Sequence, residues 1–266
     1  MTSPTFAVKT TAKTILKGNY YRCILATLIP VFISLTVTFT ASVLTIAVGS
    51  AVAYGLMAIM NIFVVLPVFL GLFRFFRRLM WDERDNIISV FHYFRGGEIY
   101  KTTIKYCFIF ILRLLSIGVL VYLPSILLAL LSNGQIYEFL GIDMPSFVRS
   151  FAEAQNVLTT LSTAVFIFFA LRYYLTPFLL VADEDMEIGE ALHMSKVISR
   201  KSTLDFVGLF FGMSFWILIS VFLIPLPFTL PYILLSYMVH CRFAVAHYNK
   251  MADRENNPPP SYFPNI

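Results

Sequence analysis

Three arginines stand inside stretches of sequence that are otherwise uncharged and mostly apolar. Arg113 interrupts 106–131, Arg172 interrupts 157–181, and Arg242 falls within 228–249. Counted from the basic end of each stretch at about 1.5 Å per helical residue, each lies roughly 12–15 Å in. No Asp or Glu occurs within any of the three stretches. A guanidinium near a bilayer centre costs at least about 2.5–3.5 kcal/mol on insertion scales, so something must offset it. One means is snorkelling of the long side chain toward the headgroups. A second is bonding to carbonyls freed by the prolines Pro30, Pro67, Pro124, Pro177 and Pro231. The third is an anion, most simply a lipid phosphate, shared by Arg113, Arg172 and Arg242 between the third, fourth and sixth helices. This last is the anion- or lipid-binding site that the sequence offers.

Other chemistry has little to work with. Every Asp and Glu lies outside the apolar stretches or at their edges, so no carboxylate pair is available there for acid–base work. No metalloprotease, nucleophile-elbow or phosphate-loop motif occurs. His240 and His247 share a helix face but stand two turns apart, too far to share a metal. Cys23, Cys107 and Cys241 fall near the basic ends of apolar stretches and form no metal-ligand pattern, so reduced thiols are expected. Neither catalytic residues, a metal nor a cofactor is expected, and the chain reads as a non-enzyme.

The elements that would carry the arginines follow from composition. Hydrophobic residues make up 58% and charged residues 13% of the 266, against about 25% charged in a soluble domain. That excess has no place in one or two soluble cores. From Cys23 to Phe73, and again from Phe206 to Cys241, there is no charged residue at all. With about 20 apolar residues needed per crossing, the expectation is an all-α polytopic membrane protein with six transmembrane helices in three hairpins. The spans fall near 23–48, 51–73, 106–131, 157–181, 206–224 and 228–249. They form one transmembrane domain over 1–249, followed by a disordered, proline-rich cytoplasmic tail over 250–266.

Sixteen of the 20 basic residues sit in 1–22, 74–105, 182–205 and 250–266, while the opposite side holds only Arg149. By the positive-inside rule both termini are cytoplasmic. The net charge of +5 reflects that asymmetry and calls for no nucleic acid. Three short amphipathic segments precede the hairpins at 4–20, 86–95 and 186–201. They are expected to lie at the inner interface with apolar faces down, the first aligning Lys9, Lys13 and Lys17 on one side. The acids from Asp183 to Glu190 are expected at the positive end of the third segment's dipole. Gly208 and Gly212 form a GxxxG that suits helix packing.

Arg172-Tyr173-Tyr174, Pro177, the turn from Ala182 to Met186, Glu190-Ala191-Leu192, Phe215-Trp216 and Pro231-Tyr232 recur as a loose set. With Lys17-Gly18-Asn19-Tyr20 they resemble the bacterial integral membrane family catalogued as domain of unknown function 975. Arg200-Lys201-Ser202 departs from the glycine-containing turn typical of that family. The resemblance implies a bacterial membrane protein and no particular reaction. The function expected is contact with membrane lipids, above all anionic headgroups, or with a membrane protein partner or second copy. The alternative is a small transporter or channel for an anionic or lipid-like substrate. The topology has a direct check: external thiol labelling should reach a cysteine at Ser146 and miss one at Ser89 or Ser261, and labelling at Ser89 would reverse the orientation.

Overall fold

The computed structural model describes residues 4–83, 86–131, 141, 146–222 and 225–254. No strand occurs among them. The helices are α1 (Pro4–Leu16), α2 (Tyr20–Val48), α3 (Ser50–Met60) and α4 (Leu66–Met80), with a π-helical turn at Asn61–Val65 joining the last two. A 3-10 helix, Ile87–Phe94, precedes α5 (Gly97–Leu131). Then follow α6 (Ser146–Ala170), a 3-10 turn at Leu171–Tyr173, α7 (Thr176–Ala182), α8 (Ile188–Gly212), α9 (Ser214–Ile219) and α10 (Leu226–Arg254). The chain forms two compact units, one of Met1–Phe108 with Tyr174–Ile266, the other of Ile109–Tyr173.

The all-α, multi-pass expectation holds. Five helices among the described residues are long and apolar enough to cross a membrane: Tyr20–Ala47, Ser50–Met80, Gly97–Leu131, Ala154–Ala182 and Leu226–Met251. The span expected near 206–224 is delivered instead as the end of α8 and the short α9. Its break has a visible cause. The Lys9 ammonium donates to the Gly212 carbonyl at 2.6 Å, capping α8 where Met213 leaves helical geometry. A Cβ on Gly212 would come within 2.7 Å of that ammonium, and one on Gly208 would meet nothing. Gly212 therefore makes room for a lysine, which the GxxxG expectation did not foresee. At the other end of the chain, α10 runs on to Arg254, past the expected tail boundary at 249. The remaining tail and residues 132–140 and 142–145 lie outside the described residues, and α6 begins at Ser146, before the span expected near 157–181.

In the first unit the core gathers around α4. Val68, Leu72, Phe75 and Phe76 are buried, as are Phe178, Leu179 and Val181 of α7 and Leu235, Met238 and Val239 of α10. The 3-10 helix lies so close that a Cβ on Gly71 would stand 1.8 Å from the Val90 carbonyl oxygen. The amphipathic α1 turns its apolar face inward: Val8, Ala12 and Leu16, spaced four apart, are all buried, and α1 packs on α10 and α8. The expected apolar-face-down orientation on lipid is thus corrected for α1, because protein already covers that face. α10 reaches from the start of α2 to the end of α4. Tyr20 meets the Phe228 carbonyl, the Phe73 and Tyr237 rings are 5.7 Å apart, and Arg242 covers Trp81. Since α2 and α4 are antiparallel arms of one hairpin, α10 runs across their base.

Three prolines and three tyrosines tie this unit together. Pro67 offers no N–H to the Phe63 carbonyl four residues earlier, and the Tyr100 hydroxyl donates to it at 2.9 Å. Three residues before Pro177, the Tyr174 carbonyl accepts from Tyr237. Three residues before Pro231, the Phe228 carbonyl accepts from Tyr20 at 2.5 Å. The Phe63 carbonyl, which Pro67 leaves without its helical donor, is thus occupied by tyrosine.

In the second unit, the outer half of α5 pairs with α6. Ser125 and Ser162 hydroxyls lie 3.1 Å apart, Tyr122 and Thr163 hydroxyls 2.8 Å apart, and the Tyr122 and Phe166 rings 6.1 Å apart. Their apolar side chains face outward, Leu120 at 76% and Val157 at 72% exposure, as lipid-facing positions require. Cys23, Cys107 and Cys241 are free and buried. Ser89 is buried too, so exposed Arg95 is the better labelling position on that side. The close approach at Gly71 makes a stability prediction. G71A should cost about 1–3 kcal/mol or more through overpacking, whereas G208A should be neutral or slightly stabilising. Thermal unfolding in detergent checks both.

Candidate functional site

The most unusual side chain in the first unit is Arg74, which only the end of an uncharged stretch announces. It lies on the buried face of α4 at 6% exposure. An unpaired cation there would lose its hydration without return. Its Nε donates to Glu184 Oε1 at 2.6 Å, with Glu184 supplied by the acidic turn that follows α7. Of the acids expected to cap the third amphipathic segment, Glu190 does sit in the first turn of α8, but Glu187 at the cap makes no side-chain bond. Glu184 has another task, and Asp183 accepts from the Asp185 amide at 3.1 Å, closing the turn.

His92 completes the group, its Nε2 standing 3.9 Å from Glu184 Oε2. Partial burial opposes ionisation of Glu184. The hydrogen bond and charge of Arg74, joined by His92 and Arg77, outweigh it and hold the carboxyl below its ordinary pKa. Burial also lowers the His92 pKa; Arg74, Arg78 and Arg95 add to the shift while Glu184 opposes it. A cavity of about 410 Å³ opens beside the pair, lined among others by Tyr93, Glu98, Thr102, Tyr106 and Asp185. Glu98 is itself paired with Lys101 at 2.9 Å. The arrangement holds charge and joins four elements, and it presents no nucleophile beside a base. Among the described residues no three His, Cys, Asp or Glu come together to hold a metal.

A second polar group sits where α7, α8 and α10 meet. Tyr174 stacks on Phe206 with centroids 4.3 Å apart. Its hydroxyl lies 2.8 Å from Ser202 Oγ and 3.1 Å from His240 Nε2. His240 is thus a buried, hydrogen-bonded histidine. A cavity of about 350 Å³ above it is bordered by Lys201, Asp205 and His247.

Each expected site arginine lies over an aromatic ring. Arg242 stands 4.7 Å from the Trp81 centroid. In the second unit, Arg113 lies 6.0 Å from the Tyr173 centroid, with its Nε 3.3 Å from the Tyr173 hydroxyl. Arg172 covers Phe168 and Phe169 at 5.4 and 5.8 Å. Arg113 and Arg172 belong to one unit and Arg242 to the other. The ring quadrupole attracts a cation by about 0.5–2 kcal/mol, an offset legible in sequence only for Arg172, since Tyr173 and Trp81 stand far along the chain from Arg113 and Arg242. Sequence reasoning also missed Arg74. Its signal was a basic residue set among Phe73, Phe75 and Phe76, one turn before the half-buried pair Arg77 and Arg78.

Comparison with protein-family profiles, curated proteins and solved structures finds no match for this chain.

The ion pair has a pH signature. Glu184 and His92 both hold fewer protons folded than unfolded, so their contribution is complete above their ordinary values and lost on acidification. Loss begins below about 6.5 through His92 and continues below about 4.5 through Glu184. E184Q, which leaves Arg74 buried and unpaired, should cost about 3 kcal/mol at pH 7, the low end for a buried pair because Glu184 is half exposed. Melting measured from pH 7 to 3 should show the gap between wild type and E184Q holding down to about pH 4.5 and closing below it.

Proposed function

We propose that this chain is a non-enzymatic protein of the bacterial cell membrane, with both termini cytoplasmic, that acts through contacts with lipids or a membrane partner. The observation that carries this is the segregation of its surfaces. Polar and charged contacts gather at the base of the first hairpin and the segments around it: Arg74–Glu184, Arg78–Glu83, Lys101–Glu98 and Arg242 on Trp81. The far part of that hairpin exposes apolar side chains, Ile46 at 90% and Tyr54 at 64%, and so does the second unit. A surface divided in this way suits a body seated at one membrane face with hairpins in the hydrocarbon. The excess of basic residues at that base argues that the face is cytoplasmic. The family resemblance belongs to the same proposal.

The aromatic faces beneath Arg113, Arg172 and Arg242 are consistent with arginines held at the interface, where lipid phosphate can complete their hydrogen bonding. Purified protein reconstituted in liposomes tests the reading. Anion flux at background, together with a stably co-purifying lipid or protein, is the expected result. Saturable flux that falls in R113Q, R172Q or R242Q would decide for transport instead.

A further inference from the structure

The lysine row of α1 divides in the fold, and the division defines a pocket. Lys9 is spent on the Gly212 carbonyl. Lys13 and Lys17, one and two turns on, are exposed and border a pocket of about 270 Å³ with Leu16, Gly18, Tyr20, Trp216, Phe228 and Tyr232. Three aromatic side chains from α9 and α10 thus form a floor beside two ammonium groups. Trp216 and Tyr232 lie edge to face at 5.8 Å, and the Tyr20 hydroxyl is taken by the Phe228 carbonyl. Among the described residues no carboxylate lines the pocket, so none of its lining side chains neutralises the lysines.

We propose that this pocket binds an anionic phospholipid, with its phosphate between Lys13 and Lys17 and its first acyl carbons over Trp216, Phe228 and Tyr232. The inference rests on the lipid-contact reading above and gives it a site. Two observations select this ligand. Charge asks for an anion, and an aromatic floor without acids asks for an apolar continuation of it, which free phosphate lacks. Burial of Val8, Ala12 and Leu16 against protein adds a third. α1 has no apolar face left for dipping into lipid, so its lysines are not simply the solvated side of a surface helix. Trp and Tyr at headgroup level are the usual neighbours of such a phosphate.

Quenching of tryptophan fluorescence by brominated lipids tests the assignment on the purified full chain in detergent. Brominated phosphatidylglycerol should quench at lower concentration than brominated phosphatidylcholine, by about fivefold for each lysine engaged. K13Q/K17Q should abolish that preference, with unchanged melting temperature showing the fold intact, and K13R/K17R should keep it. W216F should remove the phosphatidylglycerol-dependent component and leave the Trp81 signal. Equal quenching by both lipids in the wild type, or a preference that survives K13Q/K17Q, overturns the pocket while leaving general lipid contact standing. Full displacement by millimolar glycerol phosphate would assign the site to a soluble phosphate and overturn the lipid. Absence of quenching by either lipid would sink the broader reading as well.

Discussion

A backbone carbonyl in hydrocarbon has no water to turn to, and each one left without a donor costs several kcal/mol. This constraint organises the first unit. Pro67 withdraws the donor from the Phe63 carbonyl and Tyr100 supplies one, while Tyr237 and Tyr20 donate to the Tyr174 and Phe228 carbonyls within a turn of Pro177 and Pro231. The pattern closes on itself. The first hairpin gives Tyr20 to the third and receives Tyr100 from the second. The second receives Tyr237 from the third. Each bond is local in energy but long in sequence, so together they fix how the helical pairs meet. A proline that would merely kink an isolated helix becomes a docking point.

Arg74 belongs to the same logic with the sign reversed. Here the unsatisfied group would be a cation, and the chain answers with Glu184 from the turn after α7. The pair does more than cancel charge. It ties α4, which carries the tightest backbone contact in the unit at Gly71, to the segment that launches α8. His92, on the 3-10 helix that Gly71 admits, leans on the same carboxylate. Loss of Glu184 strands Arg74 in a core built around Leu72, Phe75 and Phe76. Protonation and overpacking therefore act on the same seam.

The arginines of the spans illustrate another way of paying for burial. Each has an aromatic face beneath it, so the cation keeps a favourable contact within an apolar segment. Lys9 does the corresponding work at a helix end, where a carbonyl without an onward N–H accepts its proton. The functional surfaces follow from this distribution. Charges committed within the protein hold the hairpin base together, and those without an internal partner, such as Lys13 and Lys17, face the medium beside aromatic rings.

Much of this was legible in the sequence. Hydropathy and charge determined an all-α membrane protein, because long uncharged runs admit no other solution in a bilayer. Basic residues collected on one set of connections, and the cysteines stood apart from any ligand pattern. Register and partnership were not legible. The periodicity of α1 revealed an apolar face but not whether lipid or protein would cover it. Gly212 looked like a helix-packing residue until Lys9 occupied the space. The run near 206–224 was apolar enough for a crossing, yet it breaks at a carbonyl capped from 203 positions away. Glu184 was one acid among five in a short stretch, and only the buried guanidinium of Arg74 distinguishes it. Composition and period report what a segment can tolerate. Which carbonyl, ring or carboxylate satisfies a given group depends on contacts distant in sequence, and only the tertiary structure decides them.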